Sequence, residues 1–167
     1  AAGSGAVIAG KNLPENWAKP VVDSVLLPAH AATSPPAPRS TYSQTLGYNF
    51  PINLPPTLIP NQTFTFDLGG VVPDGDGTVT ISNLAGDLSG ALEQWTIQVG
   101  ATAVGTTNNS PADCQPAAGS VFNVSQAVLA AAVSGGNIVI TASNSGDIET
   151  ICATNTMDVT LSFPALG

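Results

Sequence analysis

From Asn61 onward, apolar and polar residues alternate with a period of two. Phe64, Phe66 and Leu68 interleave with Thr63, Thr65 and Asp67, and Val79 and Ile81 with Thr78, Thr80 and Ser82. Trp95, Ile97 and Val99 interleave with Gln94, Thr96 and Gln98, and Val159, Leu161 and Phe163 with Asp158, Thr160 and Ser162. Ile138 and Ile140 follow a Gly135-Gly136 turn. Successive side chains of a strand point to opposite faces, so each run predicts a strand with one face on a core and one in water. Weaker strands are expected at 101–105 and 120–123, and Gly69-Gly70, Pro73 to Gly77 and Asn108 to Pro111 carry turn chemistry between them. One segment departs from this period. Val124 to Val133 has the alanine content and the three-to-four spacing of a short helix, with Ser125 as its cap and Gly135 as its stop. The whole predicts an all-β, jelly-roll-like β-sandwich over 61–167 with one short crossover helix.

Residues 1–60 have a different texture and are expected to form an extended N-terminal arm and linker. Ten of the 14 prolines fall there, and proline breaks both helix interiors and central strands. Two apolar runs sit between the prolines: one contains Val7 and Ile8, and the other is Val21, Val22, Val25, Leu26 and Leu27 with Asp23 and Ser24 inside it. The second is bracketed by Pro20 and Pro28 and is apolar on both faces, the pattern of a strand buried on both sides. Ala29 to Ser40 reads as a polyproline-like linker.

Charge adds an asymmetry. Lys11, Lys19 and Arg39 are the only basic residues, and the chain nets −8. The first 39 positions therefore net +1 against −9 for the remainder. Such a balance excludes nucleic acid as a partner, because phosphate binding needs clustered Lys and Arg. Charged residues are only 8% of the chain, so Thr, Ser, Asn and Gln must supply the polar surface, as in many extracellular β proteins. Nothing resembles a membrane span. The small-residue start Ala1-Ala2-Gly3-Ser4 reads as the end left by signal-peptide cleavage. Cys114 and Cys152 are either two buried thiols or, as favoured in an exported protein, one disulfide closing a loop of about 39 residues.

Candidate chemistry is sparse. His30 is the only imidazole, it lies in the linker, and no Lys or Arg follows Arg39, so Ser-His-Asp and Ser-Lys constellations cannot be assembled in the body. No catalytic residue is expected, and the chain is read as a non-enzyme. Asp74 with Asp76, or Glu93 with Asp87, are conceivable carboxylate pairs for glycoside hydrolysis, but solvated turn carboxylates explain them as well. Asp74-Gly75-Asp76-Gly77 is also a possible Ca²⁺ loop, with Asp67 or Asp87 as a third ligand; no other cofactor is implied. Asn61-Gln62-Thr63 and Asn123-Val124-Ser125 match the N-glycosylation triplet.

The stretch from Gly77 to Phe163 resembles a type of β-sandwich found on bacterial surface and exported proteins. The resemblance rests on Glu93-Gln94-Trp95-Thr96-Ile97-Gln98-Val99, the strand ending Val104-Gly105-Thr106, the loop bearing Cys114, Phe122 to Val133, Gly136 to Ile140, and Cys152 ahead of a last alternating strand. It implies an extracellular jelly-roll module for adhesion or surface architecture and carries no set of functional residues. The arm resembles the donated strand of fimbrial subunits. Val21 to Leu27, or Val7 and Ile8, would then enter a neighbouring copy, anchored by Lys11, Trp17, Lys19 and Arg39, giving a head-to-tail homo-oligomer. The alternative is a glycan- or ligand-binding module whose arm packs on its own body.

Overall fold

The computed structural model of the protein describes residues 39–51 and 55–166. The arm runs containing Val7 and Ile8 and Val21 to Leu27, with Lys11, Trp17 and Lys19, lie outside the described residues. The elements run β1 (Arg39–Phe50), β2 (Gln62–Asp67), β3 (Val72–Pro73), β4 (Gly77–Ala85), β5 (Trp95–Val99), β6 (Thr102–Thr106), β7 (Ser120–Val124), α1 (Gln126–Ala132), β8 (Val133–Ser134), β9 (Asn137–Asn144) and β10 (Asn155–Leu166). They form two antiparallel sheets. One is ordered β1-β10-β4-β7 with β3 on β10, and the other β2-β9-β5-β6 with β8 on β9.

Set aside the two-residue strands β3 and β8, and the first long strand pairs with the last, the second with the seventh, the third with the sixth and the fourth with the fifth. The chain thus behaves as one long hairpin, turning at Gly100 (φ 57°), whose two arms are wound together into a sandwich. That is the jelly-roll arrangement. The connections 86–94, 107–119 and 145–154 share one end of the sandwich with Phe50, called here the disulfide end. The connections 68–76 and 125–136 share the opposite end with Arg39 and Leu166, called the entry end.

Every apolar residue singled out by the alternation is buried: Phe64, Phe66 and Leu68 on β2 and just past it, Val79 and Ile81 on β4, Trp95, Ile97 and Val99 on β5, Ile138 and Ile140 on β9, and Val159, Leu161 and Phe163 on β10. At the start of β4 the backbone itself comes close. A Cβ on Gly77 would stand 2.5 Å from the Ser162 carbonyl oxygen and 2.8 Å from Phe163 Cβ, so only glycine fits there.

Three expectations need correction. The body does not begin at residue 61: β1 pairs with β10 in unbroken register from Arg39↔Leu166 to Phe50↔Asn155, so Arg39 and Ser40 open a strand of the sandwich and are not linker. The prolines at 51, 55, 56 and 60 mark only the connection between β1 and β2. The alternating runs and the two weaker segments predict seven strands after residue 61, and the structure has nine, the two additions being the two-residue β3 and β8. Helix α1 stands where expected, capped by Ser125, whose hydroxyl accepts from the Val128 N–H at 3.4 Å. Gly135 does not stop it, however. Val133 is already extended, and Gly135 and Gly136 (φ 57° and 82°) form the tight turn that folds β8 onto β9. Among the described residues no helix is long and apolar enough to cross a membrane.

Candidate functional site

The most distinctive surface is the flank formed by β1. It is an edge strand of 12 residues, paired on one side with β10 and, among the described residues, with nothing on the other. From Ser40 to Phe50 it carries no charge, no proline and no bulge. Natural edges are usually shortened, charged or kinked, because a free row of N–H and C=O groups invites another strand.

Its inward row, Tyr42, Gln44, Leu46, Tyr48 and Phe50, is only half-buried. The adjoining inward row of β10, Met157, Val159, Leu161 and Phe163, is fully buried. The β1 row is nonetheless held. Tyr42 stacks on Phe163 with ring centroids 4.8 Å apart, and its hydroxyl lies 2.6 Å from Gln44 Oε1 and 2.9 Å from the Asp67 carbonyl oxygen. Burial first and the Asp67 charge second raise its pKa. Tyr48 meets Trp95 edge-on at 6.3 Å. Its hydroxyl is buried without a hydrogen-bond partner among the described residues, and burial raises its pKa further. The outward row is exposed and hydroxyl-rich: Thr41, Ser43 and Thr45, then Gly47 and Asn49. Thr45 Oγ1 and Thr160 Oγ1 are 2.7 Å apart, and the bare Gly47 leaves room for the Asp158 carboxylate, which would lie 2.8 Å from a Cβ there.

A groove of about 510 Å³ crosses the outer face of the same sheet at the entry end, lined by Thr41, Asp76, Thr78, Asn123, Ser162 and Pro164 among others. Asp76 and Asn123, both marked in the sequence, are among its lining residues, and Asn61 is not. Asn123 is exposed, and the Ser125 of its triplet caps α1. Asn61, of the other triplet, accepts from the Asn144 N–H through Oδ1 at 2.9 Å.

The carboxylates considered for calcium do not gather as a set. Asp67 Oδ1 accepts from the Gly69 N–H at 2.9 Å and shapes a turn, while Asp76 Oδ1 accepts from the Gln126 N–H at 2.8 Å and serves the first turn of α1. The Asp74 N–H donates to the Pro164 carbonyl at 2.8 Å. These three sit at the entry end, and Asp87 sits at the disulfide end. There Asp87 meets Glu93 and Asp113, with one oxygen of each within 4.8 Å of the others. The Asp87–Glu93 pair is visible in the sequence as a candidate; Asp113 is not, because its loop reaches Asp87 only through tertiary contacts, the Ser110 N–H on the Leu88 carbonyl and the Cys114 N–H on the Gly86 carbonyl, each at 2.9 Å. Asp87 is 5% exposed and its Oδ2 accepts from the Glu149 N–H at 3.1 Å. Burial, then the charges of Glu93 and Asp113, push its pKa up to about 6 against that hydrogen bond.

A raised carboxyl pKa means that the folded state holds the proton more tightly than the unfolded chain. The stabilisation is therefore complete below about 3.8 and is lost as pH rises through about 6. Asp87→Asn keeps an acceptor for the Glu149 N–H and removes the charge. It should leave stability near pH 4 little changed and raise it at pH 7.5 by about 1–2 kcal/mol, allowing for solvent close by. Urea midpoints of both proteins at the two pH values check this; equal gains at both would refute the assignment.

No family model matches the chain, and no curated protein matches it.

Proposed function

We propose that the protein is a structural subunit of an extracellular filament or surface assembly and that it polymerises by passing its N-terminal segment to the flank of the next copy. The observation that carries this reading is the β1 edge: 12 residues long, uncharged from Ser40, and backed by a half-covered row of Tyr42, Leu46, Tyr48 and Phe50. An added strand would complete the hydrogen bonding of the edge and cover that row, the mode of recognition called β-augmentation. The chain itself supplies a suitable strand in Val21 to Leu27, or a shorter one at Val7 and Ile8. The contact is heterologous, so it propagates head to tail, into a fibre where the rotation between copies does not close.

Magnitudes set the terms. Burying Val21, Val22, Val25, Leu26 and Leu27 contributes roughly 8–15 kcal/mol. Ordering seven residues costs roughly 7–14 kcal/mol. The joint therefore depends on the ladder hydrogen bonds and on further anchors, for which Lys11, Trp17 and Lys19 facing an acidic body are the available groups. The bond between Cys114 and Cys152 supports an oxidising compartment. This reading requires neither a catalytic step nor a cofactor, and Ca²⁺ is not part of it.

A second reading draws on the groove bearing Thr41, Thr78, Asn123 and Ser162: a glycan- or ligand-binding module with its arm packed in cis. Light scattering behind size exclusion separates the two, since this module runs as a monomer at full length. On the favoured reading, deletion of residues 1–28 converts assemblies into soluble monomers. Filaments that persist in negative stain after the deletion overturn it.

A further inference from the structure

We infer that the donated segment is Val21 to Leu27 of a second copy and that it joins β1 as a parallel strand, so that the copies stack end to end, the entry end of one on the disulfide end of the next. The inference rests on the strand-donation reading and adds its acceptor, direction and polarity.

The acceptor follows from length. The donor is seven residues between Pro20 and Pro28, and neither proline can donate to a ladder. The four edges of the sandwich are β1 with 12 residues, β2 with 6, β6 with 5 and β7 with 5. Only β1 can match the donor along its whole length.

The direction follows from where the chain enters. Arg39 opposes Leu166 and Phe50 opposes Asn155, so β1 starts at the entry end and runs to the disulfide end. The donor is joined to Arg39 through residues 28–38, which include Pro28, Pro35, Pro36 and Pro38. Proline fixes φ and holds the residue before it extended, so Pro35-Pro36-Ala37-Pro38 favours continuation of the strand axis over reversal. At about 3.1 Å per residue such a linker spans about 34 Å. The β1 edge spans about 40 Å. An antiparallel donor would need the linker to pass the donor's own seven residues, about 23 Å, and then reverse within the remaining length of about 11 Å, a reversal that its prolines oppose. In such a row Leu27 arrives first, at the neighbour's disulfide end, and Val21 lies toward its entry end. Donor and β1 then point the same way. Both ends of the body are acidic, with Asp87, Glu93, Asp113, Asp147 and Glu149 at one and Asp67, Asp74 and Asp76 at the other, so charge favours neither direction and the linker decides.

Cross-linking between separately labelled chains tests this. Full-length protein carrying Ala29→Cys is mixed with full-length protein carrying Asn49→Cys or Thr41→Cys, both exposed on the outer row, and treated with a short bis-maleimide. The Asn49→Cys mixture should yield the crossed dimer, and the Thr41→Cys mixture roughly a tenth or less as much, since the two positions lie about 26 Å apart along the strand. Preference for Thr41→Cys overturns the parallel direction and leaves strand donation standing. Assemblies that form without either link overturn β1 as the acceptor. A full-length protein that is monomeric by light scattering overturns strand donation itself.

Discussion

Replacing Cys114 and Cys152 together by Ala should lower the unfolding free energy by about 4 kcal/mol, the value expected for a cross-link across a separation of 38 residues. In a body of this size that corresponds to a fall in melting temperature of about 12–20 °C. The bridge joins two connections that each pass from one sheet to the other. Cys114 lies between β6 and β7, and Cys152, fully buried, lies between β9 and β10. Cutting it frees both connections in the unfolded chain and removes the clamp at one end of the sandwich. In the folded body the Cys114 N–H still donates to the Gly86 carbonyl at 2.9 Å, so the native fold survives with lower stability. Calorimetry of the oxidised protein against the double variant measures the loss. A change below about 1 kcal/mol would mean that the unfolded chain is already constrained there.

Trp95→Ala should cost about 3–5 kcal/mol, the usual range for removing a large buried aromatic. Trp95 is 3% exposed, its backbone N–H donates to Thr107 Oγ1 at 3.1 Å, and its ring meets the edge of Tyr48. Loss of the ring opens a cavity where the two sheets face each other and unseats Tyr48 on β1. Chemical denaturation measures the effect, and a loss under about 1 kcal/mol would place the ring outside the core. The same burial bears on glycan binding, since a ring in the core offers no face to a sugar. With Trp17→Phe as background, Trp95 fluorescence should be blue-shifted and insensitive to added oligosaccharides.

Period-two alternation located the core because each of those strands has one face in water, and burial acts on each face separately. The burial of Trp95 follows from that pattern alone. Strand β1 shows the same alternation from Tyr42 to Phe50, yet it falls within the proline-spaced stretch 1–60 that reads as arm and linker. Its apolar row includes Gln44 and is interrupted on the other face by Gly47, and prolines stand on both sides of it. Proline density masks the periodicity there, although proline forbids a strand only where it occurs. The Gly135-Gly136 pair suits both a helix stop and a turn before Ile138, and the backbone uses the second. The carboxylate trio was half legible. Asp87 and Glu93 sit in one connection, but Asp113 comes from another, and no local pattern reports a contact made by tertiary packing. Asp74 and Asp76 have the spacing of a cation loop, and the structure adds a local task that this spacing does not report, since Asp76 also accepts from the backbone of α1.

The pairing of β1 with β10 also has a kinetic consequence. Its partners lie more than a hundred residues apart in the chain, and the hairpin of β5 and β6 lies at the other extreme of separation. Loop closure makes the distant pair the last to gain from its own contacts. The body should therefore belong with slow, non-local folders. Until β1 docks, β10 presents one open edge to any strand in reach. A nascent subunit is then exposed to mispairing for as long as that step takes, and newly made chains held at low concentration should give the highest yield of correctly folded body.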